Sequence, residues 1–142
     1  MYKNRYNLIC YNTYGGIDMN KYILDFLKDI MAIDSPSGYS KKVIHYCQKE
    51  AEKLGFQTKK THKGNLEIYV EGQDDYTIGF CGHVDTLGLM VRSIKSDGTL
   101  AFTNVGGPII PTLDGEYCRI HTRDGQCYTG TILSNYPAVH VY

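Results

Sequence analysis

The sequence predicts an α/β fold interrupted by a small all-β module, and three observations carry that expectation. Two stretches near the start repeat apolar residues at helical spacing. Three shorter stretches then shift to a period near two and lead into Gly82-His83-Val84-Asp85. Beyond Asp85, the order strand, Asp-Gly turn, strand occurs twice.

Residues 1–18 stand apart from the rest of the chain. They carry Tyr2, Tyr6, Tyr11 and Tyr14 with Asn4, Asn7 and Asn12 and show no clean period, whereas Met19 opens the patterned part. The expectation is a non-native or disordered extension over 1–18, with Met19 as the natural start. Residues 20–33 place Ile23, Phe26, Leu27, Ile30 and Ile33 on one helical face. Asp34-Ser35-Pro36-Ser37-Gly38 ends that helix, because proline cannot continue it, and serine there is expected to cap the next one. The second helix is expected over residues 39–54, with Val43, Ile44, Cys47, Ala51 and Leu54 on its apolar face. Gly55 suits a left-handed turn at its end.

Strands are expected over residues 56–61, 66–70 and 76–81, with Lys63-Gly64-Asn65 and Gly72-Gln73-Asp74-Asp75 as the turns. Residues 89–95 and 99–103 flank Ser96-Asp97-Gly98, and residues 117–122 and 126–133 flank Arg123-Asp124-Gly125, two hairpin signals. Between them runs a loop from Val105-Gly106-Gly107-Pro108 to Pro111. The organisation expected is an extension over 1–18, the α/β part over 19–87 and a β-rich insertion over 88–142.

Composition narrows the function classes. A chain of 142 residues suits one domain, or one and a partial second. Fifteen basic residues balance fifteen acidic ones without a basic cluster, so there is no electrostatic case for nucleic acid or an anionic membrane. No apolar run is long enough to span a bilayer, and no signal-peptide core follows Lys3 and Arg5. The five cysteines, Cys10, Cys47, Cys81, Cys118 and Cys127, contain no Cys-x-x-Cys pair. They are expected to be reduced and mostly buried in a cytosolic protein. Cys81, inside an apolar strand, is expected to be an inert core thiol rather than a nucleophile.

His83 and Asp85 carry the chemistry. Side chains repeat every second residue along a strand, so the two can point the same way. Neutral imidazole is the commonest side-chain metal ligand, and a neighbouring carboxylate fixes its tautomer or helps hold a metal site. Gly82 allows close backbone approach, and Gly88 turns the chain out of the strand. His45, His62, His121 and His140 share no ligand spacing with another candidate and are read as packing or solvated residues. Gly106-Gly107 lacks the Lys-Ser/Thr of a phosphate loop and reads as a tight turn. No Gly-x-Ser-x-Gly elbow supports serine-hydrolase chemistry.

Several motifs occur together in one order: Ser35-Pro36-Ser37-Gly38-Tyr39, Lys63-Gly64-Asn65-Leu66, and Gly82-His83-Val84-Asp85-Thr86-Leu87-Gly88-Leu89-Met90-Val91. Ile94-Lys95-Ser96-Asp97-Gly98, Val105-Gly106-Gly107, Gly115-Glu116-Tyr117-Cys118, Tyr128-Thr129-Gly130-Thr131-Ile132 and Val139-His140-Val141-Tyr142 come after them in register. From Met19 onward the chain resembles the glutamyl and tetrahedral aminopeptidase family of dinuclear metallopeptidases. The resemblance implies a partial metallopeptidase catalytic domain of helices and sheet, interrupted by a β insertion that mediates subunit contacts. It implies a cytoplasmic enzyme that removes N-terminal residues from peptides with two divalent ions, zinc or cobalt, and assembles as a homo-oligomer. By motif position, His83 would be the first metal ligand and Asp85 its supporting carboxylate at the catalytic centre. Many members of the family carry Glu where this chain has Thr86.

The family's bridging Asp, its Glu general base and its remaining ligands would all lie beyond Tyr142. This chain alone is therefore expected to be inactive and to leave sheet edges and apolar faces uncovered. Two other readings are open at this point: a non-catalytic assembly module, and a related dinuclear-metal amidohydrolase-type deacylase.

Overall fold

A computed structural model describes residues 13, 14, 16–73 and 75–134. The chain divides into two compact units, Met1–Thr86 and Leu87–Tyr142.

In the first unit, β1 (Thr13–Tyr14) and β2 (Ile17–Asp18) pair antiparallel. Asp18 then caps α1 (Met19–Ala32): its Oδ1 accepts from the amides of Asn20 at 3.0 Å and Lys21 at 3.3 Å. Such a cap satisfies amide donors that the first helical turn leaves without partners. The tract set apart by its composition thus contributes the helix cap. Residues 1–12 and residue 15 lie outside the described residues.

α2 (Lys41–Lys53) packs on α1 through aromatic rings. Tyr22 and Phe26 stack at 6.3 Å, Phe26 and Tyr46 at 5.8 Å, and the Tyr46 hydroxyl donates to Asp29 Oδ2 at 2.6 Å. Val43 and Ala51 lie on the expected face of α2 and are the buried apolar side chains among the described residues. The outer positions of the α1 face, Ile23 and Leu27, are exposed.

α2 ends as its glycine predicts. Gly55 has φ +85°, its amide donates to the Glu52 carbonyl at 3.0 Å, and the Phe56 amide reaches the Ala51 carbonyl at 3.0 Å. This pair of bonds closes the last helical turn. The start differs from expectation. Ser40, not a serine of the Ser-Pro-Ser stretch, occupies the N-cap position, and it makes no side-chain capping bond.

β3 (Gln57–Lys60) and β4 (Leu66–Tyr69) form an antiparallel hairpin. Thr58 ties it to α2 through Gln48 at 3.2 Å and Glu52 at 2.9 Å. The third expected strand is a correction. Residues 76–81 join no sheet among the described residues. Tyr76, Ile78 and Phe80 alternate as a strand would, but all three are exposed. A strand needs a neighbour for its peptide N–H and C=O groups, and β3 and β4 pair only with each other.

The second unit holds two more hairpins. β5 (Gly88–Ile94) pairs with β6 (Leu100–Val105), with a register irregularity between Val91 and Ser93. β7 (Tyr117–His121) pairs with β8 (Cys127–Thr131). A single 3-10 turn, Ile110–Leu113, lies in the connection between them. Gly106 begins that connection at φ +78°, a conformation that favours glycine; a Cβ there would also meet the movable end of the exposed Leu87 side chain, Cδ2, at 2.7 Å.

The turns of β3–β4, β5–β6 and β7–β8 share one construction. Gly64, Gly98 and Gly125 have φ of +88°, +83° and +87°. Each donates to the carbonyl three residues back: Thr61 at 3.0 Å, Lys95 at 3.0 Å and Thr122 at 3.2 Å. No described non-glycine residue has positive φ, so these are three-residue loops with a left-handed glycine rather than primed two-residue turns.

Candidate functional site

Ser35-Pro36-Ser37-Gly38 and Val84-Asp85-Thr86 meet side by side. Ser35 is fully buried and donates its hydroxyl to the Val84 carbonyl at 2.9 Å. The Thr86 amide donates to the Ser35 carbonyl at 2.9 Å, and Pro36 and Thr86 form a parallel bridge. Proline restricts the residue before it to extended conformations, which suits Ser35 to this pairing. The Tyr39 amide then returns to the Pro36 carbonyl at 2.7 Å, with Gly38 at φ +87° in the third position of the turn. That is the position where a type II turn requires glycine.

This arrangement brings the two expected site residues together. His83 Nδ1 lies 3.1 Å from the Asp85 carbonyl oxygen and 3.2 Å from Asp85 Oδ1. Ser37 donates its hydroxyl to the other carboxylate oxygen, Oδ2, at 2.5 Å. That hydroxyl is the main reason the Asp85 carboxyl is held below its ordinary range, with a smaller pull from His83. The imidazole is largely open to solvent, its side chain 85% exposed, against 41% for Asp85. Ser37, His83 and Asp85 line one open cavity with Ile44, Leu54 and Leu66.

Four expectations change here. His83 does not sit at the end of a paired strand, because residues 76–81 are unpaired among the described residues. The same unpairing leaves Cys81 exposed rather than in a core. Cys127 is exposed and Cys47 and Cys118 are half-buried, so none of the four described thiols is fully buried; Cys10 lies outside the described residues. Ser37, expected as a helix cap, holds Asp85 instead. The sequence reading begins that helix at residue 39 and so carries no signal for this contact, which joins residues 48 positions apart.

His45 and His62 are exposed, and His121 is half-buried within β7. His140 lies outside the described residues. Among the described residues no three His, Cys, Asp or Glu side chains gather as a metal site would require. His83 and Asp85 are two donors, and by themselves they do not fit a pair of metal ions. No described helix is long and apolar enough to cross a membrane.

Comparison with known proteins identifies the family of the chain. Residues 64–142 match the M42 glutamyl aminopeptidase family. The chain is 39% identical over 120 residues to YhfE of Bacillus subtilis (strain 168), provisionally named an aminopeptidase; the match covers 84% of this chain and 35% of that protein. It is 27% identical over 106 residues to the glutamyl aminopeptidase of Lactococcus lactis subsp. cremoris (strain MG1363), covering 73% of this chain and 30% of that protein. The chain thus spans about a third of the length of these curated relatives.

Among solved structures, it is similar to the TET aminopeptidase of the marine sediment archaeon Thaumarchaeota archaeon SCGC AB-539-E09. The TM-score is 0.74 at 27% identity, over 81% of this chain and 32% of that one. It is also similar to the Pyrococcus horikoshii TET1 peptidase, with a TM-score of 0.69 at 28% identity, over 84% of this chain and 35% of that one. That peptidase can assemble into a tetrahedron or a large octahedral shell. The mixed helix-and-sheet fold is the one these neighbours share. The chain belongs to the M42 glutamyl aminopeptidase family.

Proposed function

We propose that this chain supplies the N-terminal part of a metal-dependent aminopeptidase that releases N-terminal residues from peptides. The observation that supports it most is the family match over residues 64–142, which includes His83 and Asp85, two residues the fold brings within 3.2 Å. In this reading His83 is a metal ligand, and Asp85 is the carboxylate that orients it at the catalytic centre. A carboxylate behind a ligating imidazole fixes the tautomer and raises ligand basicity. Two divalent ions, zinc or cobalt, would supply the hydrolytic chemistry once further ligands complete the site.

The second unit is proposed as the subunit-contact insertion, with residues 88–142 as its extent and 19–87 as part of the catalytic domain. Homo-oligomeric assembly is proposed by analogy with the TET1 peptidase, and a cytoplasmic location goes with it. The 142-residue chain by itself is proposed to be inactive, because two donors cannot hold two ions against water at useful affinity.

The reading is tested by exchange. Residues 19–134 replace the matching segment of YhfE, and the hybrid is assayed on a panel of aminoacyl p-nitroanilides with and without a chelator. Chelator-sensitive release that vanishes in H83A is the expected result. A folded hybrid with no activity on any substrate, or with activity indifferent to H83A, would overturn the assignment. Hydrolysis by the purified 142-residue chain would overturn its inactivity alone.

A further inference from the structure

We propose that Ser37 is the positioning residue of the His83–Asp85 pair: its hydroxyl locks the Asp85 carboxylate, and the carboxylate in turn sets the imidazole. The inference rests on the reading of that pair as part of the aminopeptidase site.

The two oxygens of Asp85 are divided between two partners. Oδ2 accepts from Ser37, and Oδ1 lies 3.2 Å from His83 Nδ1. The second neighbour of Nδ1 is the Asp85 carbonyl oxygen at 3.1 Å. Both are acceptors only, so Nδ1 carries the proton and Nε2 keeps its lone pair. With the imidazole 85% exposed, little besides Asp85 holds it. A rotation of the Asp85 side chain would remove one of the two acceptors that define the tautomer.

The backbone on both sides of Asp85 is held by a different residue. Ser35 takes the Val84 carbonyl through its hydroxyl and the Thr86 amide through its own carbonyl. The hydroxyl of Ser37 bonds no backbone group of residues 84–86. What it contacts is the carboxylate. The sequence separates the two tasks: Pro36 orients Ser35 for pairing, and Gly38 turns the chain so that Ser37 sits at the corner facing Asp85.

The test uses the whole chain and three forms: wild type, Ser37→Ala and Ser37→Thr. Nuclear magnetic resonance reads the Asp85 Hα–Hβ couplings, the His83 ring nitrogen shifts of the neutral form, and exchange protection of the Thr86 amide. In the wild type the two couplings should differ, as for one rotamer, and the ring should show the Nδ1–H tautomer. In S37A the couplings should converge and the Nδ1–H tautomer should lose population without vanishing, because the Asp85 carbonyl remains an acceptor, with Thr86 protection unchanged. S37T, which keeps the hydroxyl, should restore the wild-type pattern.

Unchanged couplings in S37A would overturn the proposal. So would averaging in S37T, which would show that the hydroxyl is not the agent. Loss of Thr86 protection in S37A would also overturn it, because Ser37 would then hold the fold rather than the carboxylate. These signals do not depend on peptidase activity. An inactive YhfE hybrid beside a Ser37-dependent Asp85 rotamer would remove the aminopeptidase site and leave the contact standing.

Discussion

Ser35 donates its hydroxyl to the carbonyl of Val84, 49 positions away, at 2.9 Å, and it is the buried polar side chain among the described residues. One side chain thereby joins the end of the first helical segment to the His83–Asp85 loop. Replacing it with alanine removes that donor from the part-buried Val84 carbonyl. The expected cost is about 1–2 kcal/mol. S35A should lower the urea midpoint of the first unit and speed exchange of the Thr86 amide. A midpoint equal to wild type would show that water reaches Val84 without penalty.

The hairpin glycines give a second expectation. Gly98 and Gly125 hold φ of +83° and +87°, a region where an L side chain crowds the following carbonyl. G98A and G125A should each destabilise their hairpin by about 1–2 kcal/mol. Exchange at Gly98 and Lys95 reads the β5–β6 hairpin, because these amides donate within its turn. Gly107, which has no positive φ and open space around a Cβ, is the control: G107A should cost far less. Equal costs at Gly98 and Gly107 would rule out conformation as the cause.

How far the sequence foretold the fold depends on the distance between partners. Helical period, the left-handed Gly55 and the three glycine turns are local, and each appears at the expected place. The contacts that build the site are not local. Ser37 meets Asp85 across 48 positions, and nothing in Ser-Pro-Ser-Gly names its partner. The alternation of Tyr76, Ile78 and Phe80 reads as a strand, yet pairing needs a second chain segment that periodicity cannot supply. Asp18 is not legible as a helix cap because its surroundings are rich in Tyr and Asn without a period.

Asp97 sets a pH expectation in the second unit. Its Oδ1 accepts from the Thr99 hydroxyl at 2.7 Å and the Thr99 amide at 2.9 Å, and the hydroxyl is the larger cause of a carboxyl held below the ordinary 3.8. A depressed folded value means the contribution is fully present above the unfolded pKa. It fades as pH falls through the folded one. The β5–β6 hairpin should therefore hold at neutral pH and weaken only below the usual aspartate range. T99V removes the hydroxyl and should move the Asp97 carboxyl titration upward, as followed by carbon chemical shift. No movement in T99V would assign the depression to the amide alone.

Thiol reactivity separates exposed from half-buried cysteines. Cys81 and Cys127 are exposed, whereas burial raises the Cys47 thiol above its ordinary range. The thiolate is the reacting form, so a raised value and reduced access act in the same direction. Iodoacetamide at mildly alkaline pH should label Cys81 and Cys127 several-fold faster than Cys47, counted by peptide mass spectrometry. Cys81 reacting as slowly as Cys47 would place residues 76–81 in a covered environment.

That unpaired segment carries the last expectation. Tyr76, Ile78 and Phe80 are 68%, 65% and 95% exposed, on alternate positions of a stretch that pairs with no described strand. Exposed alternating apolar residues with free edge groups are a template for another copy of the same stretch. The chain should therefore associate as its concentration rises, and light scattering across a dilution series reads the effect. Phe80→Glu puts a charge at the most exposed of the three and should shift the onset to higher concentration. It should not lower the thermal midpoint, since so exposed a ring contributes little packing. A wild-type chain that stays monomeric throughout the series would mean that residues 76–81 are covered in solution.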